Sequence, residues 1–252
     1  MLSRHHRDLL FELVRTDFKL RYNNSALGFV WVLLKPLLLF TILYGVFSFV
    51  FQREAHYGLS LLLRILLFSY FSEGTSRGLC SLVDRAPMIL KVRFPRNIIV
   101  LVPILNAFIN FSIGMLVFFL LSVFATLSLK GSSIVFVYCV LLLTMVITGF
   151  ALAASILYAK FRDTQSIWEV LLSLLFYSVP IIYPITILPL QVQRIVSVNP
   201  LAVLIEESTI VLINGGVADL WKMVYATVWS VVILGFGYWY FKRNSPKIAE
   251  FL

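Results

Sequence analysis

The sequence predicts an all-α integral membrane protein. It would have six transmembrane helices, an N-terminal amphipathic interface helix, and short re-entrant or periplasmic helices between spans five and six. Three observations carry this. Of 252 residues, 60% are hydrophobic and only 13% charged, about half the charge of an ordinary soluble domain. Mean hydropathy is +0.94, more apolar surface than a soluble body of this size can hide from water. Apolar runs of span length also alternate with short basic loops, the pattern of a chain solvated by lipid. A soluble enzyme, a disordered chain and a disulfide-rich secreted module are excluded on the same grounds.

The whole chain, 1–252, reads as one transmembrane domain. Residues 4–22 come first. Leu10, Leu13, Val14 and Phe18 recur at three- and four-residue spacing, and Arg7, Asp8, Glu12, Arg15, Lys19 and Arg21 fill much of the remainder. A helix so patterned lies in the headgroup plane. Its charged start leads into no short apolar run with a cleavage site, so the first span is expected to act as its own insertion signal.

Span one covers about 27–51. Proline is tolerated near a helix start, where Pro36 stands, and Lys35 can snorkel to the interface. Span two, about 59–83, carries Arg64, Glu73 and Arg77. Charge at membrane depth is costly and faces a bundle interior or a wet cavity. Glu73 and Arg77 are four apart on one helix face and read as a structural pair. Arg64 is placed either with them or at the outer interface. Spans three to six follow at about 98–129, 134–157, 167–183 and 223–241. The loops 84–97 and 158–166 are basic or polar. In the segment 184–213, proline breaks and short apolar runs predict re-entrant or interfacial helices.

Orientation follows from the basic residues. Six lie in 1–35, four in 84–97, two in 158–163 and three in the tail after span six, so fifteen of twenty-one Lys and Arg fall on one side. The positive-inside rule then puts both termini in the cytoplasm.

Motifs for catalysis are missing. No GxxxxGK[ST], HExxH or GxSxG occurs, so the chain has no P-loop, no zincin site and no nucleophile elbow. Cys80 and Cys139 sit in apolar stretches without a CxxC pattern, as small core residues do. No catalytic and no metal-binding residues are expected.

Four motifs in order carry a resemblance. They are Arg21-Tyr22 with Ser25-Ala26-Leu27-Gly28, Trp31, Pro36-Leu37 and Val46-Phe47; then Leu90-Lys91-Val92-Arg93-Phe94-Pro95-Arg96; then Phe161-Arg162-Asp163; then Asn199-Pro200-Leu201 followed by Glu206. Together they span nearly the whole chain. The sequence resembles the permease subunits of type-two ABC exporters of polysaccharides and polyol phosphates, which move O-antigen, teichoic acid or capsule chains. Arg64 and Phe68 depart from that pattern, which usually has a small residue and an aromatic there.

The resemblance implies a homodimer in the bacterial inner membrane, working with two copies of a separate ATPase subunit that carries the ATP and Mg. It implies export of a glycan, commonly linked to a polyprenyl diphosphate. It also implies an N-terminal interface helix, cytoplasmic coupling segments and two short outer helices. On that basis Lys91, Arg93, Phe94, Pro95, Arg96, Phe161, Arg162 and Asp163 are the expected contacts to the ATPase, since aromatic and Arg side chains anchor interfaces well. Phe40, Tyr44, Phe47 and Phe51, spaced four, three and four, form a stripe on span one. With Tyr177 they are the expected channel lining, because aromatic faces let sugar rings slide. Arg7, Arg15, Lys19 and Arg21 are expected at a lipid diphosphate or headgroup, which Arg contacts in bidentate fashion. The alternatives are an ABC exporter of a drug or small lipid, an ion-coupled carrier, and a membrane enzyme acting on prenyl-linked sugars. Glu206-Glu207, the only adjacent acidic pair, is too little for the last.

Overall fold

The computed structural model describes residues 4–22, 28–51, 56–91, 95–124 and 133–250, with side chains placed for 8–20, 28–51, 56–91, 95–124 and 134–248. Helices follow one another as α1 Arg4–Tyr22, α2 Val30–Phe47, α3 Tyr57–Asp84, α4 Ala86–Lys91, α5 Asn97–Phe124, α6 Ser133–Lys160, α7 Thr164–Ser178, α8 Leu190–Val196, α9 Pro200–Leu212 and α10 Leu220–Asn244. Short 3-10 turns lie at Ile185–Ile187 and Ser245–Glu250. No strand occurs among the described residues.

Among the described residues four helices are long and apolar enough to cross a membrane: α2, α5, α6 and α10. The pair α8 and α9, bent by 107°, passes the same test jointly and would make five. At 28 residues α3 has the length but carries Arg64, Glu73, Arg77 and Asp84. Its surroundings explain that composition. It is the central helix, packed on α5 and α6 over most of its length and on α2, α7 and α9 at its sides. A helix wrapped by other helices shows lipid little of its surface, so charge on it is tolerated.

The helix ends correct several expected boundaries. The fifth span was expected to run to Tyr183, but α7 stops at Ser178. Val179 turns extended (φ −83°, ψ 140°), as the residue before a proline does. The sixth begins earlier than Met223, because the Asp219 carboxylate accepts from the Trp221 amide at 2.9 Å and starts α10 at Leu220. Helix α5 is described as far as Phe124, and the remainder of the expected third span, to about 129, lies outside the described residues. The first shortens to Val30–Phe47.

Without water between helices, close packing and hydrogen bonds hold a membrane bundle together. Glycines let the backbones meet. A Cβ on Gly237 would fall on the carbonyl of Gly149, where α10 crosses α6, and one on Gly78 would strike Ala151 where α3 meets α6. Several polar groups pair between helices. Tyr70 and Thr144 hydroxyls lie 2.9 Å apart, and Trp168 Nε1 donates to Thr75 Oγ1 at 3.2 Å. Tyr57 donates to the carbonyl of Ile182 at 2.8 Å, tying the start of α3 to the proline-rich segment.

Candidate functional site

The end of the bundle that carries the basic loops is organised around α1. Its half-buried face holds Leu10, Leu13, Val14 and Phe18, the amphipathic stripe read from the sequence. In the middle of that face stands Asp17, which the sequence reading passed over. Its Oδ2 accepts from the fully buried Asn106 of α5 at 2.6 Å, and its Oδ1 pairs with Arg85 after α3. Thus α1 is fastened to both α3 and α5. Arg15 and Lys19 lie on the exposed side. The exposed side also carries Phe11 and Leu20, each about 70% exposed (70% and 72%). The side chains of Arg7 and Arg21 fall outside the described residues.

Of the expected coupling residues, Arg93 and Phe94 also fall outside the described residues. Lys91 ends α4 and is exposed. Pro95 and Arg96 lead into α5, and the Arg96 guanidinium donates to the carbonyl of Ser245 behind α10. The α4–α5 segment is therefore held at one end by α1 through Arg85 and at the other by the C-terminal turn. Phe161 is 57% exposed, with the Lys160 ammonium 5.1 Å from its ring. Arg162 lies over Tyr158 at 5.4 Å. Asp163 precedes α7 without capping it through its side chain.

The aromatic stripe of α2 leans on α3. Phe40 stacks on Tyr44 at 5.5 Å, Tyr44 on Tyr57 at 6.3 Å, and Phe51 tilts onto Tyr57 at 5.3 Å. Phe40, Phe47 and Phe51 are half-buried in this way, and Tyr44 is exposed. Helix α7 lies on another side of α3, joined by the edge-on contact of Phe68 with Phe176 at 5.3 Å. Along α7, Gln165, Glu169, Ser173 and Tyr177 recur every four residues. The last three are exposed, and Gln165 Nε2 donates to Glu169 Oε1 at 3.0 Å. The sequence reading picked out only Tyr177 of this polar line, although the four-residue spacing was there to see. Glu73 and Arg77 do pair, at 3.4 Å, but with 28% and 48% of their side chains exposed. Both also border a chamber beside α2.

At the opposite end a second charge cluster pins α9. Glu207 is completely buried, and Lys222 of α10 lies 3.3 Å from it and 3.4 Å from Glu206. The Asp219 amide donates to Glu207 Oε2 at 3.0 Å. Arg64 is buried at this end of the bundle, and its Nε donates to Thr209 Oγ1 at 3.4 Å. A cavity of about 620 Å³ opens between Arg64, Glu206, Asn214 and Phe51. Beside it Tyr183 donates to the carbonyl of Tyr177 at 3.1 Å, and partial burial pushes its hydroxyl above the usual tyrosine value.

A bundle with one exposed polar line, a basic end and a broken helix pair is a framework for conduction. The comparisons with known proteins decide its kind. A family model for the ABC-2 type transporter matches residues 8–213. The chain belongs to that family. It is similar to two O-antigen export system permease proteins RfbA of Klebsiella pneumoniae, at 27% identity over 253 residues and 28% over 252. It is also similar to an O-antigen export system permease protein RfbA of Myxococcus xanthus, at 24% over 248. Each alignment covers 97% of this chain and 95% of the relative. This ABC-2 permease is a multi-pass membrane protein and a transport component.

Proposed function

We propose that this permease is the membrane half of an ATP-driven exporter that moves a polysaccharide or lipid-linked glycan, O-antigen-like, across the bacterial inner membrane. Six spans, α2, α3, α5, α6, α7 and α10, cross with both termini in the cytoplasm. Two copies form a channel at their interface, and two copies of an ATPase subunit dock on the basic end. The polar line of α7 carries this reading. Glu169 and Ser173 lie exposed on α7; if α7 is a span, lipid is a poor neighbour for that carboxylate and a wet pathway is a good one. The relatives' printed names supply the class of cargo.

In this mechanism Tyr44 and Tyr177 present ring faces and hydroxyls to the passing chain. Phe40, Phe47 and Phe51 hold Tyr44 in place from behind. Closure of the ATPase pair pushes on Lys91 to Arg96 and on Phe161 to Asp163. The first segment transmits the push into α5 directly and into α1 through Arg85. The cations of α1, Arg7, Arg15, Lys19 and Arg21, hold anionic headgroups as the helix shifts.

The test is reconstitution. Vesicles containing the chain with its ATPase subunit should move glycan only when ATP is present, and the ATPase should speed up with glycan. Transport by the chain alone on a proton or sodium gradient would instead establish an ion-coupled carrier.

A further inference from the structure

Between α2, α3 and α5 lies a chamber of about 800 Å³. On α3 its polar lining is Ser69, Ser72, Glu73, Ser76 and Arg77, with apolar residues of the same helix toward Leu66. Across it stand Lys35 of α2 and Asn110 of α5, whose amide donates to both Glu73 oxygens at 3.0 and 3.1 Å. Lys35 and Arg77 face the single carboxylate Glu73, so the chamber holds one positive charge in excess. Among the described residues no carboxylate lies within ion-pair distance of Lys35. An ammonium with no carboxylate partner among the described residues, facing serine hydroxyls across a chamber, is a site prepared for an anion.

The depth identifies the source of that anion. Asn110 is one turn from Asn106, which holds α1 through Asp17, so the chamber lies about 6 Å beyond the plane of α1. An amphipathic helix marks the boundary between headgroups and acyl chains. The flanks of the chamber are apolar. Trp31 on α2, 38% exposed, and Phe111 on α5, stacked on Tyr70 at 5.1 Å, both line it.

We infer that this chamber binds the phosphate of a lipid drawn sideways from the inner leaflet, with Lys35 and Arg77 as its cationic ligands and the tail left against α2 and α5. The inference rests on the exporter reading for its cargo, a lipid-linked glycan. It moves phosphate recognition away from the cations of α1, into the bundle.

The experiment uses the purified complex with its ATPase subunit and measures retention of a long-chain polyprenyl diphosphate by native mass spectrometry. Lys35→Gln should weaken retention by about ten-fold, the worth of one charge-assisted contact. Lys35→Arg should restore it, and Lys242→Gln with Arg243→Gln, exposed in the last turn of α10, should leave it near the wild-type value. Lys35 is exposed, so its substitution keeps the fold, and a melting curve checks this. Inorganic pyrophosphate should fail to displace the lipid. Unchanged retention in Lys35→Gln, an equal loss in the α10 variant, or equal binding of inorganic pyrophosphate each overturns the proposal. ATP-driven export by the wild-type complex is measured in parallel. Export without Lys35-dependent retention removes the site and keeps the function; retention without export does the reverse.

Discussion

The buried amide of Asn106 on α5 holds the carboxylate of Asp17 on α1 at 2.6 Å, and Arg85 grips the same carboxylate from the end of α3. One acidic residue thus joins the headgroup-plane helix to two helices of the bundle. Asp17→Ala leaves both partners wanting, one of them fully buried, at a cost of about 1–3 kcal/mol. We expect α1 to loosen before the bundle melts, so a cysteine placed at Leu13, half-buried on the docked face, should label faster in Asp17→Ala at temperatures where overall helicity is unchanged. Equal labelling rates would show that α1 is held by its apolar face alone.

The crossing of α6 and α10 permits no side chain at Gly237. Gly237→Ala should force the helices apart and cost about 1–3 kcal/mol, as overpacking does. Gly235, two residues earlier, has open space within 4 Å of where its Cβ would stand. Gly235→Ala should therefore be neutral or stabilise by up to about 1 kcal/mol. Thermal unfolding in detergent compares the two, and a similar effect from both would remove the close contact as the cause.

Lys222 neutralises two carboxylates, one without any exposure. Lys222→Met strands the buried Glu207, which costs about 3–5 kcal/mol. Lys222→Arg should keep most of the stability. Because the cluster fixes α9 and not α8, which has no buried residue, proteolysis near 197–199 should change little in either variant. A Lys222→Met protein as stable as the wild type would contradict the charge balance described here.

Glu169 faces outward from α7. If that face borders the pathway, Glu169→Leu should lower ATP-driven export by at least about ten-fold, since a positioned charged contact is worth roughly 1.5–3 kcal/mol, while leaving the melting temperature alone. Val170→Leu, exposed on a neighbouring face, should do neither. The proposed pathway loses its main support if both variants export normally.

Phe161 and Arg162 end α6 in the open. A docked ATPase would bury them, and anchors of this kind commonly contribute more than about 1 kcal/mol. Phe161→Ala and Arg162→Ala should uncouple glycan-stimulated ATP hydrolysis from transport while the elution volume of the permease on size-exclusion chromatography stays that of the wild type. Retained transport with full stimulation would remove the coupling role.

The linear sequence by itself determined the membrane class, the amphipathic face of α1 and the Glu73–Arg77 pair. Each depends on composition or on neighbours three and four residues apart, which helix geometry brings together without any further folding. The polar line of α7 belonged to the same kind of signal and was overlooked because Glu169 and Ser173 sit among leucines. Only the tertiary structure decided that Asp17 meets Asn106, that Arg64 is buried beside Thr209, and that Lys222 answers Glu207. These partners are 89, 145 and 15 residues apart. A charge in a span announces that it needs a partner, but the energy of pairing depends on distance and burial. Those are fixed only when α3 takes the centre and the other helices close around it.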